Sequence, residues 1–362
     1  MNEEKIIKIF SNCIIVNGLK RSVIYDLERE EFFHVPNSFY YFFKKYNGKS
    51  IKEIKDNNNI ENYQTIDEYI NFLITNELGF YCDTIEEANC FHKLSLKHET
   101  PSHISNAIID FDNNSSFDFI KIFNQLEELN CQSIEIRFWD VINKYFLIDL
   151  LLYLKTSSIR SVELVLKYDN KKNEFLNNIV EFVKLNSRIT KIIVYNNPFT
   201  KIIKESNAFI IFIKEKITKE DCGKCAEYYF QCNLPFYVEA KNYNSCLNKK
   251  IGIDANGEIK NCPSMKQSYG NINFTTLAKV LNNEKFKNLW NITKDKVDIC
   301  NKCEYRYMCP DCRAYTISNN LYSKPSKCNY DIKTMEWNNK ENNLISKNIF
   351  SNYEIGISNT SY

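Results

Sequence analysis

Ten of the fourteen cysteines of this chain lie between Cys222 and Cys328, and seven of them fall into one ordered pattern. Cys246-x10-Gly257-x4-Cys262 is followed by Cys300-x2-Cys303-x5-Cys309-x2-Cys312 and, after a gap, by Cys328. Two thiolates linked by a turn face one inorganic centre together, and distant ones complete its shell. The C-terminal third is therefore expected to fold around sulfur ligands, as a metal domain.

Charge and hydropathy narrow the setting. The 362 residues carry 47 basic against 45 acidic side chains, a net +2, without the basic excess that nucleic acid or an acidic membrane surface demands. The opening MNEEKIIKIF has no apolar signal core. The most apolar helical run, Tyr145 to Leu154, is short and carries Asp149, so no membrane span is predicted and a cytoplasmic location is expected. In a reducing cytosol, clustered cysteines serve as metal ligands rather than disulfides. Only 8 glycines are present, and no glycine-rich phosphate loop of either common kind.

The pattern divides the chain into an α/β protein of three parts. In residues 1–85, β-rich runs at Ile6–Val16, Arg21–Leu27 and Glu31–Val35 precede helical runs at Ser38–Tyr46 and Ile66–Glu77. Gly79 ends the last helix, and Phe80-Tyr81 is free to return as a strand. Hairpins with two or three helices make a winged-helix-like module, a shape that binds peptides along a sheet edge or simply caps the next domain. Cys90, His92, His98 and His103 follow in a polar connector whose spacings match no known chelate.

From Ile104 strands and helices alternate: Ile104–Phe111, Ser133–Trp139, Val162–Lys167, Thr190–Tyr195 and Ala208–Lys214 as strands, with helices at Phe117–Leu129, Val141–Leu154 and Glu174–Leu185. This βα rhythm over 86–218 predicts a parallel sheet, too short for a full eight-fold barrel. Its strand ends, Asp110-Phe111-Asp112, Phe138-Trp139-Asp140, Tyr168-Asp169 and Tyr195-Asn196-Asn197, stand where such sheets hold ligands, although Asp and Asn also cap helices. Residues 219–337 form the metal domain, with a hairpin turning at Asn256-Gly257 and an amphipathic helix expected over Asn273–Trp290. A tail, 338–362, completes the chain.

The cysteine order resembles the SPASM domain, the auxiliary cluster-binding extension of radical S-adenosylmethionine enzymes. The resemblance implies a degenerate partial (β/α) radical-SAM-like barrel ahead of a C-terminal Cys-rich SPASM domain. It also implies one or two [4Fe-4S] clusters. Carried over by position, Cys300, Cys303, Cys309 and Cys328 hold one. Cys246, Cys262 and Cys312 supply three ligands to the other, and the fourth comes from Cys222, Cys225 or Cys232, with Cys232 taken first. The CPDC spacing is one residue shorter than the family's. Zinc is the alternative metal, in ribbons built on the pairs 222/225, 300/303 and 309/312, and would make the protein a scaffold without catalysis.

One family element is missing. The loop after the first barrel strand reads DNNSSFDF and holds no cysteine, where radical enzymes carry Cys-x3-Cys-x2-Cys. CLNKKIGIDANGEIKNCPSMKQSYGNI, CEYRYMCPDCRAY and the opening FSNCIIVNGLKRSVIYDLEREEFFHVPN resemble the SPASM peptide maturases of grasp-with-SPASM systems. That resemblance implies a ribosomal precursor peptide and an ATP-grasp ligase as partners. It also implies a leader-recognition role for 1–85 and no cleavage of S-adenosylmethionine.

Overall fold

The structure, a computed structural model, describes residues 2–169, 175–318 and 320–338. The tail past residue 338 and Glu174, the expected first residue of the third barrel helix, lie outside them.

The N-terminal module begins with two small sheets. Strand β1 (Ile6–Ile9) is separated from β2 (Cys13–Asn17) by a turn in which the Cys13 N–H donates to the Phe10 carbonyl at 3.0 Å. That turn splits the expected Ile6–Val16 run between sheets. β2 pairs antiparallel with β3 (Arg21–Asp26), and β3 with β4 (Glu31–Pro36). Helix α1 (Asn37–Tyr46) buries Phe39, Phe43 and Tyr46 at helical spacing. β5 (Lys49–Ser50) and a helix the periodicity did not reveal, α2 (Ile51–Asp56), follow; Ser50 caps α2 by accepting from the Glu53 N–H. Helix α3 (Tyr63–Thr75) buries Ile66, Ile70 and Leu73, and β6 (Gly79–Cys82) returns beside β1, as Phe80-Tyr81 implied. Helix α4 (Ile85–Cys90) leads into the connector.

The main sheet supplies the frame for the metal region. Strands β7 (Asn106–Phe111), β8 (Ser133–Phe138), β9 (Ser161–Lys167) and β10 (Ile189–Tyr195) run parallel, as the βα rhythm predicts. Helices α5 (Phe119–Glu128), α6 (Lys144–Thr156) and α7 (Phe175–Leu185) connect them. Asp118 caps α5 and Asn143 caps α6, so Asp110, Asp112 and Asp140 do not serve as the caps of these two helices. β11 (Lys201–Glu205), whose polar rhythm hid it, pairs antiparallel with β12 (Ala208–Phe212), which lies parallel to β10. Ile109, Ile134, Ile136, Leu164, Ile192 and Ile210 fill one apolar layer of this sheet.

After α8 (Leu234–Asn242), the hairpin β13 (Lys250–Ile253) and β14 (Ile259–Lys260) joins that same sheet, β13 lying parallel beside β7. The strand order is β11-β12-β10-β9-β8-β7-β13-β14. The turn at Asn256-Gly257 forms as expected. Gly257 takes φ +82°, and Asp254 Oδ1 accepts from the N–H groups of Asn256 and Glu258 at 3.0 Å each. The single helix expected over Asn273–Trp290 is instead two short ones, α9 (Leu277–Leu281) and α10 (Glu284–Lys287). Asn283 starts the second by accepting from the Lys285 N–H, and asparagine favours caps over helix interiors. β15 (Tyr330–Asp331) and β16 (Glu336–Trp337) close the described chain. Among the described residues, no helix is long and apolar enough to cross a membrane.

Candidate metal centre

Nine of the ten clustered cysteines gather into two neighbouring sets. The first is built on the hairpin: Cys246 and Cys262 flank β13 and β14, and Cys262 senses the charges of Cys246 and Cys222. Cys312 senses the same two. The loop Cys222–Cys225 reaches this set through Gly223, which takes φ +77° and lies against Cys312; a Cβ there would fall 2.5 Å from Cys312 Sγ. Cys222 Sγ lies 3.1 Å from Ser264 Oγ. The Lys250 ammonium stands 3.9 Å from Cys246 Sγ.

The second set comprises Cys300, Cys303, Cys309 and Cys328, with Cys225 as a fifth sulfur. Cys225 pairs in a backbone bridge with Cys328, and its thiol donates to the Pro310 carbonyl at 3.2 Å, beside Cys309. The approach of the Cys225 thiol draws the Cys309 thiol down to about 7, burial opposing it and the Lys294 ammonium, 3.8 Å from Cys309 Sγ, adding to it. Cys300 and Cys303 both sense Cys309.

Cys232 joins neither set. Its thiol faces the carbonyls of Glu31 at 3.0 Å and Asp26 at 3.8 Å, at the seam with the N-terminal sheet. Sequence distance favoured it over Cys222, because only the fold shows that the Cys222–Cys225 loop bends back to both sets. The loop's Gly223 was the available signal, since a glycine lets backbone approach a crowded sulfur. The same loop divides the 222/225 pair between the sets, which a zinc ribbon would have kept on one ion.

The spacer between Cys303 and Cys309 is gripped by the N-terminal sheet. Tyr25 Oη donates to the Glu304 carbonyl at 2.6 Å, and Arg21 Nε to Glu304 Oε1 at 2.8 Å. Arg21 also donates to Tyr305 Oη at 2.5 Å, and His34 Nε2 lies 2.6 Å from the same oxygen. Arg306 donates to the Asn17 carbonyl at 2.7 Å.

Residues 245–304 match the SPASM family, an iron–sulfur cluster-binding domain. The match covers the whole hairpin set apart from Cys222 and Cys312, and stops just after the first pair of the second set. No curated protein matches the chain. Three solved structures of Streptococcus suis SuiB are similar at low identity. The first covers 89% of this chain and 99% of SuiB, at 13% identity and a TM-score of 0.36. SuiB bound to S-adenosylmethionine covers 91% and 99%, at 13% identity and 0.35. SuiB bound to its precursor peptide SuiA covers 89% and 99%, at 11% identity and 0.34.

The donors of the SPASM region suit an iron–sulfur cluster in chemistry: all are sulfur, all are buried or partly so, and each set has a lysine ammonium at hand. Among the described residues, no group of three or more His, Cys, Asp or Glu is arranged to hold a single metal ion. A cluster of several irons bridges sulfurs more widely spaced than one ion does.

Burial, with neighbouring thiolates adding, raises Cys262 from its ordinary 9.0 to about 12. Burial likewise raises Cys300 and Cys312 to about 11. A thiol held neutral by the fold ionises earlier when unfolded, so metal-free protein keeps this stabilisation below pH 9 and loses it between pH 9 and 12. Thermal melts of chelated protein across that window should fall accordingly. Iron uptake moves the opposite way, rising with pH toward 9, because each ligating thiol must release its proton.

The Gly223→Ala variant is expected to lose about 1–2 kcal/mol from its left-handed backbone alone, and more from the clash with Cys312 Sγ. Iron retained by the variant at the wild-type level would contradict this placement of the loop.

The strand ends of the sheet form a second locus, and its acids tie loops together. Arg137 donates to Asp110 Oδ1 and Oδ2 at 2.7 and 3.1 Å, both side chains buried. Asp140 accepts from the Asn113 N–H at 3.1 Å, and Asp112 from the Asn114 N–H at 2.9 Å. Ser115 donates to the Ala255 carbonyl at 2.8 Å, fastening the cysteine-free loop to the hairpin turn. Phe111, Phe117, Phe138 and Phe146 floor a cavity of about 250 Å³ there.

Proposed function

We propose that the chain is a maturation factor for a ribosomally synthesised precursor peptide, working beside an ATP-grasp ligase and carrying two auxiliary-type [4Fe-4S] clusters. The observation that carries this reading is the pair of sulfur sets in and around the SPASM match. On this reading Cys222, Cys246, Cys262 and Cys312 hold one cluster, and Cys300, Cys303, Cys309 and Cys328 hold the other. Such clusters supply one-electron transfer when bound. The chain's own residues bury them, face them with ammonium groups, and tie one of them to the N-terminal module through the Glu304–Arg306 spacer.

Two further features support the reading. The loop after β7 has no cysteine and is closed by its own hydrogen bonds, so no residue there is offered to a radical-generating cluster. β4 ends the β2-β3-β4 sheet, and an edge strand offers backbone groups to an extended leader peptide.

Anaerobic purification followed by iron, sulfide and zinc determination tests the cluster assignment. About eight iron and eight sulfide per chain are expected for two four-iron clusters. Colourless protein with stoichiometric zinc and no sulfide would sink it. Incubation with S-adenosylmethionine and dithionite should release no 5′-deoxyadenosine; its release would overturn the claim that the chain does no radical chemistry. The protein should also co-purify with an ATP-grasp ligase encoded beside it, and no association between the two would remove that partner.

A further inference from the structure

The second sulfur set is faced by an unbalanced group of buried charges. Lys294 is 4% exposed, with its Nζ 3.8 Å from Cys309 Sγ and 3.3 Å from Asp311 Oδ1. Asp311 is also bound by Arg313 at 2.6 Å and by the Asn244 amide at 2.6 Å. Arg313 is 2% exposed and donates its remaining contacts to the carbonyls of Leu321 and Ser323. Two buried cations thus share one buried carboxylate, which leaves one positive charge beside the sulfurs.

A lone buried charge of this kind is costly unless something opposite in sign meets it. Cys309 Sγ lies in contact with Lys294, at 3.8 Å. A four-iron cluster on four thiolates carries negative charge that grows on reduction, and so matches the excess. The hairpin set differs: the Lys250 ammonium, 3.9 Å from Cys246 Sγ, also faces the carboxylates of Glu135 and Glu239, so charges other than sulfur meet it.

We infer that Lys294 is the counter-ion of the cluster held by Cys300, Cys303, Cys309 and Cys328, and that it makes this cluster the more easily reduced of the two. The inference rests on the cluster reading above. A fixed cation favours the more negative, reduced state and raises the potential, burial enlarging the effect. Lys294 is a positioning residue in this sense, acting through the sulfur it touches. Electrons entering the protein collect at the cluster whose spacer the N-terminal module holds.

The test uses full-length protein loaded without oxygen, as wild type and as Lys294→Met and Lys294→Arg. Each is assayed for iron and sulfide and titrated against potential with electron paramagnetic resonance. In Lys294→Met one of two signals should need a potential lower by at least a tenfold change in the reduced-to-oxidised ratio, about 59 mV for one electron. The other signal should stay in place, and Lys294→Arg should restore the first. Fully loaded Lys294→Met with both potentials unmoved would overturn the inference.

Should Lys294→Met fail to load, melts of cluster-free protein decide. The counter-ion role predicts that metal-free Lys294→Met is at least as stable as metal-free wild type, since the unmatched charge is gone. A markedly less stable metal-free variant would instead make Lys294 a plain partner of Asp311 and refute the role. Wild type without iron or sulfide would fail the cluster reading, a result separate from either.

Discussion

Serine at Cys222 is expected to remove about half of the iron and sulfide from the protein, while serine at Cys232 leaves both at the wild-type level. A four-iron cluster left with three thiolates is labile, and Cys222 is the upstream sulfur whose charge reaches both Cys262 and Cys312. Cys232 spends its thiol on the backbone of Asp26 and Glu31, so its loss disturbs a seam and not a ligand shell. Iron and sulfide per chain, with spin quantitation of the reduced protein, measure the outcome. The reverse result, with Cys232→Ser losing iron and Cys222→Ser keeping it, would move the fourth ligand of the hairpin set back to Cys232. Cys225→Ser adds a finer point, since the fifth sulfur should alter the ionisation of Cys309 without emptying the site.

Arg137→Met should be among the most destabilising single changes, at about 3–5 kcal/mol, because it leaves Asp110 buried without its cation. The side chains are 6% and 2% exposed and meet through two hydrogen bonds across β7 and β8. Burial already holds the Asp110 carboxyl above its ordinary value even with Arg137 in place, and losing the guanidinium pushes it further up. The double variant Asp110→Leu with Arg137→Met should recover most of the loss, as replacement of a whole buried pair by apolar side chains usually does. Denaturant unfolding of the three variants measures this. A double variant no more stable than the single one would assign the cost to packing around Trp139, over which the Arg137 guanidinium lies at 5.1 Å.

The regular parts of the fold could be read from the sequence because burial there follows chain periodicity. Ile134 and Ile136 on β8, or Ile66, Ile70 and Leu73 on α3, repeat with the period of their element. What escaped depends on contacts between distant segments. Lys201–Glu205 looks polar alone and becomes a strand only against β12. The Asn273–Trp290 run has helical spacing, yet its asparagine pair restarts the chain as a second helix. At the metal centre the seven ordered sulfurs were plain, being local chelating pairs and a hairpin. The position of Cys222 was not, since it is set by a loop folding back across some ninety residues to Cys312. Lys294 had no sequence mark, because a lysine's burial is decided by what surrounds it.

The grip of Arg21, Tyr25 and His34 on the Glu304–Arg306 spacer, together with the seating of β13 beside β7, bears on how the molecule comes apart. The cysteine-rich segment has no independent outline: two of its strands belong to the central sheet, and one of its ligand loops is held by side chains from near the start of the chain. A fragment starting at residue 219 would expose the flank of β13 and leave the Glu304 carboxylate without Arg21. The whole chain should therefore melt in one concerted step that shifts upward as a unit when iron is loaded, and no proteolytic cut should yield a stable cluster-bearing core.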